Sequence, residues 1–318
     1  MPAMKHSILR CVAALLLLAG VHALPRASSR ALPCVEPLRV VTTIPDLADI
    51  VREVGGDLVD VESIAKGREN IHSVRIKPSH VVAMNKADLF VQVGLSLEHA
   101  WVPALLQASR NKRIQPGMPG FLNISEGWEP IQVPESLSRR QGTDLHPQGN
   151  PHINLDPRGG RHMAQAVLDA LGTLLPDAKP ELEARHASYA KRLDEAEARW
   201  RALAARVAGE KVVAYHASFD YLMLELGVEI AGSIEPKPGV PPTPRDLARL
   251  ITRMQSEGIG VVVTAFWSNN RSVAEVARKS GARVVELPDM VGGVEGAESW
   301  IAMMDLIHER LAQALSGG

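Results

Sequence analysis

Short runs of β-branched residues alternate with amphipathic helical patterns in the first half of the chain. Residues 38–44 are typical of a buried strand, and Pro45 opens a helical pattern that ends at Gly55 and Gly56. A polar stretch rich in proline and glycine, residues 117–151, interrupts this alternation. Strands that alternate with helices indicate a parallel sheet with helical crossovers. The same criteria predict further strands over 59–61 and 89–93 and helices over 80–86 and 156–175.

The second half of the chain repeats this alternation. Its β-branched runs predict strands over residues 211–215, 260–264 and 283–287. Its amphipathic segments predict helices over residues 219–226, 243–257, 272–280 and 298–315. A second α/β unit therefore follows the first.

Between the two halves, residues 181–208 contain neither glycine nor proline. Their apolar residues fall in steps of three and four, apart from one gap at His186, and so form one helical stripe: Leu182, Tyr189, Leu193, Ala196, Trp200, Leu203 and Val207. A helix of this length spans roughly 43 Å. The predicted fold is α/β, with two Rossmann-like lobes that each contain a parallel sheet, residues 38–175 and 209–318. One long rigid helix within 176–208 joins the lobes, and a cleft lies between them.

The composition indicates a folded protein. The chain has 318 residues, of which 46% are hydrophobic and 22% charged, and its formal net charge is −1. These values exclude a disordered polyelectrolyte and a collagen-like fibre. The isoelectric point near 6.8 argues against nucleic acid as a partner. Two cysteines are too few for a disulfide scaffold or for a zinc site of four thiolates.

The N-terminus has the pattern of a secretory signal peptide, residues 1–23. A basic start precedes a short apolar run, and Val21 and Ala23 suit cleavage after Ala23. The alternative is a membrane anchor, but the run is shorter than the ~20 apolar residues that span a bilayer. Pro33 stands before Cys34, where a lipoprotein signal has a small residue, so lipid anchoring at Cys34 is not expected. The sequence predicts export across the cytoplasmic membrane.

Four candidate metal ligands share one place in the predicted topology: His72, His152, His216 and Asp289. Each lies just beyond the carboxyl end of a strand or in a loop that leads to a helix, where open α/β sheets bind their ligands. Taken singly, a histidine at a strand end is more often a structural, hydrogen-bonded residue. Together, three imidazoles and a carboxylate suit Zn²⁺. The cleft between the lobes is where the two halves can bring them together.

Two further residues are candidate helpers of this site. His146 lies in the polar stretch near His152, and it is either an accessory or delivery ligand or a solvated loop residue. Glu98 is expected to accept a hydrogen bond from a liganding imidazole. His99 is expected at the start of a helix.

These residues stand in motifs that resemble the solute-binding proteins of zinc and manganese ABC importers, cluster A-I, which includes the zinc-binding and treponemal metal-binding types. The motifs follow one another in order over nearly all of the chain after residue 37. They include Ile-His at 71–72, Pro-His-Ile-Asn-Leu-Asp-Pro at 151–157, Tyr-His-Ala-Ser-Phe-Asp-Tyr at 215–221 and Gly-Ala-Arg-Val-Val-Glu-Leu-Pro-Asp at 281–289.

The resemblance implies a function and a ligand set. It places the metal ligands at His72, His152, His216 and Asp289, and it implies capture of Zn²⁺ for delivery to a membrane permease. Manganese-selective members usually have a carboxylate at the third position, so His216 favours zinc. Two features depart from the family: the stretch before His152 contains only His146 instead of a histidine-rich loop, and Phe266 and Trp267 stand where the family often has an acidic residue.

The expected partners are the permease and a periplasmic metallochaperone, with the receptor itself a monomer that binds no nucleic acid. Within the same class, Mn²⁺ or iron is the alternative cargo. A zinc hydrolase with Glu235 or Asp220 as general base is a rival, although the chain lacks the His-Glu-x-x-His motif. An adhesin with the same fold is the third alternative. A closed set of four ligands leaves no position for a metal-bound water, which favours binding over catalysis.

Overall fold

The computed structural model describes residues 36–135, 146–268 and 270–316. The predicted signal peptide and Cys34 lie outside these residues. The first half contains strands β1 (Leu38–Thr42), β2 (Val59–Ser63), β3 (Leu89–Gln92) and β4 (Phe121–Asn123). Its helices are α1 (Pro45–Gly55), α2 (Pro78–Lys86), α3 (Val102–Ser109) and α4 (Gly159–Leu174).

The long helix α5 (Lys179–Val207) follows. The second half contains strands β5 (Lys211–Ala214), β6 (Glu229–Ser233), β7 (Val261–Ala265) and β8 (Arg283–Leu287). Its helices are α6 (Asp220–Leu226), α7 (Pro244–Glu257), α8 (Asn270–Ser280) and α9 (Trp300–Leu315).

The described strands form two four-stranded parallel sheets with the same topology. The strand order is β2-β1-β3-β4 in the first and β6-β5-β7-β8 in the second. The central strands of each sheet are the apolar runs that the sequence marks most clearly, and Val40, Val41, Val212 and Val213 are almost fully buried. All carboxyl ends within a sheet therefore meet at one edge, which is where ligands bind. The predicted two-lobed α/β fold is confirmed.

Helix α5 packs one apolar face against α1, α4 and α9. The predicted stripe is this face: Leu182, Tyr189, Leu193, Ala196, Trp200 and Val207 are buried. Trp200 is anchored further, because its indole N–H donates to Asp305 at 2.7 Å. The helix is thus fixed to both halves along its length, as the rigid connector was predicted to be. Among the described residues, no helix has the length and apolar character needed to cross a membrane.

Two strands were not predicted, β4 and β6, and one helix was predicted with the wrong start. The helix expected to start at His99 is α3, which begins at Val102, and His99 lies in the turn before it. Strand β4 has only three residues, all partly exposed, and it lies within the polar stretch that interrupts the predicted alternation. Strand β6 reads Glu-Ile-Ala-Gly-Ser and lies at the edge of its sheet, so it has no long apolar run to mark it. Both strands are recognisable only from the neighbours with which they pair.

Candidate metal centre

Three imidazoles converge where the two halves meet. His72 lies in a short turn after β2, His152 precedes a turn that leads to α4, and His216 directly follows the end of β5. One nitrogen of each lies within 4.8 Å of the other two. The ring centroids are 5.3 Å, 5.3 Å and 5.5 Å apart. The structure therefore brings together three of the four predicted ligands.

The spacing of these nitrogens suits a shared cation. Nε2 of His72 and Nε2 of His152 are 3.3 Å apart. Two nitrogens bound to one tetrahedral Zn²⁺ at ~2.0–2.1 Å would stand roughly 3.3–3.4 Å apart. Two lone pairs that face each other at this distance repel unless a proton or a metal ion lies between them.

Hydrogen bonds on the outer nitrogens set the tautomers of two imidazoles. Nδ1 of His152 donates to Oδ1 of Asn150 at 2.9 Å, and Nδ1 of His216 donates to the Glu235 carboxylate at 2.5 Å. A neutral imidazole that donates through Nδ1 keeps the lone pair on Nε2. Nε2 of His216 is buried and has no hydrogen-bond partner among the described residues. Both rings thus present an unprotonated nitrogen to the centre of the cluster.

The surroundings keep His72 and His152 uncharged. Burial lowers the pKa of His72 and His152 well below the usual range, and the neighbouring histidines lower it further. Neutral imidazoles are the form that binds metal ions. The site is therefore ready to take up a cation at neutral pH without first losing protons from these two rings.

Asp289, the fourth predicted ligand, lies close to the cluster but outside the group of three mutually close nitrogens. Its Oδ2 accepts a hydrogen bond from the indole N–H of Trp267 at 2.5 Å, while its Oδ1 is buried and unpartnered among the described residues. Burial raises the pKa of Asp289 to about 6. One carboxylate oxygen is thus held by the indole and the other remains for a metal ion.

A hydrogen-bonded latch holds the turn that carries Asp289 against the first lobe. The amide of Asn154 donates both to the buried carboxylate of Asp46, at 3.1 Å, and to the backbone carbonyl of Asp289, at 3.0 Å. The other oxygen of Asp46 accepts from the backbone N–H of Val291 at 3.1 Å. The indole of Trp300 donates to the Asn154 carbonyl at 2.8 Å. Segments beside two predicted ligands are thereby fixed to α1.

Trp267 and Glu235 contribute to the site in ways that sequence reasoning missed. Trp267 packs edge-on against His216, with ring centroids 5.4 Å apart, besides donating to Asp289. Glu235 orients His216 through a carboxylate–imidazole hydrogen bond in which both side chains are buried. Glu235 follows strand β6, and its position beside His216 could have been inferred only if β6 had been predicted.

The expectation for Glu98 was wrong. Its carboxylate is buried and accepts hydrogen bonds from the Thr43 hydroxyl at 2.7 Å and from the backbone N–H groups of Val93 and Gly94. No imidazole is among these partners. Glu98 instead ties the end of β1 to the segment after β3, because its length lets one carboxylate satisfy three donors.

The two proposed general bases have other partners. Glu235 accepts a hydrogen bond from His216, and Asp220 accepts one from the Gln132 amide at 2.5 Å.

His146 lies beside the cluster, with its ring centroid 5.3 Å from that of His72, and it is buried instead of solvated. Burial also lowers the pKa of His146, to about 4.

Comparison with known proteins gives a family match over residues 40–314, to the family described as zinc-uptake complex component A, periplasmic (ZnuA). The zinc-binding lipoprotein AdcA of Streptococcus pneumoniae is 24% identical over 288 residues, which cover 87% of this chain and 55% of AdcA. The chain thus spans about half the length of this relative. The manganese ABC transporter substrate-binding lipoprotein PsaA of Streptococcus pneumoniae is 24% identical over 290 residues, 88% of this chain and 90% of PsaA.

A crystal structure of ZnuA has the same fold. It matches with a TM-score of 0.72 at 21% identity and covers 88% of this chain and 100% of that chain. Relatives are thus named for zinc and for manganese, while the fold is shared.

Proposed function

The chain belongs to the ZnuA family of periplasmic zinc-uptake components, and we propose that it is an extracytoplasmic receptor that binds Zn²⁺ with high affinity for an ABC importer. The family is one of solute-binding receptors and not of enzymes. The observation that carries the proposal is the group of three buried imidazole nitrogens within 4.8 Å of one another. Buried polar atoms without partners are unfavourable, and a bound cation satisfies them.

The proposed ligands are His72, His152, His216 and Asp289. Three nitrogen donors favour Zn²⁺ over Mn²⁺, which prefers carboxylate, carbonyl and water oxygens. Since PsaA is named for manganese, Mn²⁺ is the competing cargo to be tested. Asp289 supplies the fourth ligand through its unpartnered Oδ1, after its side chain moves toward the three nitrogens.

Export and delivery complete the proposal. Residues 1–23 direct the chain to the periplasm, and Cys34 is not lipidated. The receptor acts as a monomer that hands the metal to a membrane permease, and a periplasmic metallochaperone is a candidate donor. Since the latch through Asp46 fixes the Asp289 turn to the first lobe, release requires a shift of the segment that carries His216.

The proposal is tested by elemental analysis of the purified protein, followed by competition titrations with Zn²⁺ and Mn²⁺. We expect one Zn²⁺ per chain and a clear preference for Zn²⁺. His216→Ala should lose this metal, whereas His186→Ala, at a half-buried position of α5 outside the three-imidazole cluster, should retain it. Equal metal content in wild type and His216→Ala would refute the site, and tighter binding of Mn²⁺ would refute the assignment of zinc.

A further inference from the structure

Beyond the three-imidazole cluster, two further histidines form a line from the cluster to the surface. His146 lies next to His72, with ring centroids 5.3 Å apart, and His99 lies next to His146 at 6.1 Å. The first distance equals the one between His72 and His216. Exposure rises along the line, since His72 is 4% exposed, His146 is 9% exposed and His99 is at the surface.

The outermost histidine has a lone pair that is free to bind a metal ion. Nδ1 of His99 lies 2.8 Å from the carbonyl oxygen of Ser96. A carbonyl only accepts hydrogen bonds, so Nδ1 carries the proton and Nε2 keeps the lone pair. The turn that aims this carbonyl contains two residues with left-handed backbone conformation, Leu95 (φ 50°) and Ser96 (φ 65°). Such strained conformations cluster at functional sites.

The middle histidine is buried without ordinary hydrogen bonds. Neither ring nitrogen of His146 has a hydrogen-bond partner among the described residues. A hydrogen bond of 3.1 Å between the Ser96 hydroxyl and Gln148 ties the His99 turn to the segment that carries His146. The two histidines are therefore held beside each other by the fold.

Each of the two histidines borders a cavity. A groove of about 590 Å³ is lined by His99 together with amide, apolar and hydroxyl side chains, among them Gln92, Gln148 and Phe121, and by the carboxylate of Glu98. A smaller cavity of about 90 Å³ is lined by His146, His152 and His216 among others. The groove is large enough for a hydrated metal ion, and His146 borders the same small cavity as two residues of the three-imidazole cluster.

We propose that His99 and His146 form a relay that passes Zn²⁺ between the groove and the three-imidazole cluster. The proposal rests on the proposed function. Each step is an exchange of ligands: a bond to Nε2 of His99 replaces a bond to water, a bond to His146 forms before the bond to His99 breaks, and His72 takes over from His146. Neither relay histidine remains bound in the final site.

The relay predicts a specific kinetic signature. A residue that acts only on the path lowers the association and dissociation rate constants by the same factor and leaves their ratio, Kd, unchanged. We expect His146→Gln and His99→Gln each to slow both rates by about tenfold, which corresponds to a barrier increase of ~1.4 kcal/mol. Since both lie on one path, the double variant should be little slower than either single variant.

The measurement is stopped-flow transfer of Zn²⁺ to and from a fluorescent chelator, with the wild type, the three variants and His186→Gln as a surface-histidine control. Unchanged rates in His99→Gln and His146→Gln would overturn the relay. A weaker Kd with an unchanged association rate in His146→Gln would also overturn it, because His146 would then be a final ligand.

If His146→Gln unfolds, as judged by its Tm, the exposed His99→Gln still decides the question. Failure of the relay is distinguishable from failure of the proposed function. In the second case the wild type would bind no Zn²⁺ at equilibrium, or His216→Ala would bind as tightly as the wild type.

Discussion

The two halves of the molecule have the same strand order, but they hold their proposed metal ligands differently. In the first half, His72 and His152 follow Asn70 and Asn150, whose side chains accept hydrogen bonds from the backbone N–H two residues later at 2.9 Å and 3.0 Å. In the second half, His216 is held by a carboxylate 19 residues away, and Asp289 by an indole 22 residues away.

This difference separates local from long-range positioning. A turn formed by an asparagine and the backbone two residues later depends only on neighbouring residues. The contacts of the second half exist only after strands β5, β6, β7 and β8 have assembled into their sheet. We therefore expect the ligands of the first half to be held by their own segments, and those of the second half to respond to changes elsewhere in their lobe.

The largest effect is expected from replacing the imidazole of the second half. His216→Asp substitutes an oxygen ligand for nitrogen and removes the partner of Glu235. We expect the affinity for Zn²⁺ to fall by more than ~100-fold, beyond the effect of altering a residue that only supports a ligand. The preference for Zn²⁺ over Mn²⁺ should narrow, because oxygen ligands suit Mn²⁺.

Competition titration of both metals against His216→Asp and the wild type measures this change. An unaltered ratio of the two dissociation constants would show that His216 does not determine selectivity.

The next effect is expected from the residue that orients His216. Glu235→Gln keeps an acceptor for Nδ1 of His216 but removes the negative charge beside this imidazole. We expect a ~10–100-fold loss of Zn²⁺ affinity, the usual range for such supporting residues. Rescue is the sharper readout: Glu235→Asp should recover part of the affinity, and Glu235→Ala should recover none. If all three variants bound Zn²⁺ as tightly as the wild type, Glu235 would have no role in metal binding.

The dependence of affinity on pH is expected to separate Asp289 from His72 and His152. The pKa of Asp289 is raised to about 6 by burial, so this carboxyl takes up a proton below pH 6 and Zn²⁺ must displace it. His72 and His152, whose pKa values are lowered, stay neutral in that range. Affinity should therefore decrease as the pH falls through 6, by up to tenfold per pH unit.

In Asp289→Asn this part of the pH dependence should disappear, which titrations between pH 7.5 and 5 would reveal. The same slope in both proteins would assign the proton to another group.

The smallest effect concerns the contact that seats the Asp289 turn on the first lobe. A Cβ at Gly67 would stand 2.4 Å from the backbone of Gly292 and Gly293. Gly67→Ala should therefore displace this turn and reduce stability by about 1–3 kcal/mol. Gly260→Ala is the matched control, since a Cβ there meets no atom within 4 Å. Thermal unfolding of both variants tests this, and equal Tm values would show that the turn adapts freely.

The sequence predicted the parts of the site that depend on local order along the chain. His72, His152 and His216 were found from their places after strands and before helices, and parallel pairing then brings such strand ends together. Glu235 was considered only as a general base, and its hydrogen bond to His216 was missed because β6 has no apolar run. Without β6 beside β5, nothing places Glu235 next to His216. The sequence showed only that Trp267 stands where the family often has an acidic residue. Its hydrogen bond to Asp289 was missed because it depends on the pairing of β7 with β8.

Glu98 illustrates the opposite error. A carboxylate near a histidine in sequence suggested a contact to an imidazole. In the structure this carboxylate accepts hydrogen bonds from the backbone N–H groups of Val93 and Gly94, which follow β3. Satisfaction of buried backbone donors takes precedence there. The same limit applied to β4, whose place depends on its pairing with β3.

The central claim, that His72, His152, His216 and Asp289 together bind Zn²⁺, is tested most directly by a crystal structure of the zinc-loaded protein with anomalous data at the zinc edge. The predicted result is one anomalous peak between the two lobes, with three imidazole nitrogens and one oxygen of Asp289 at ~2.0–2.2 Å. A zinc ion at another place, or one bound by fewer than three of these imidazoles, would contradict the account.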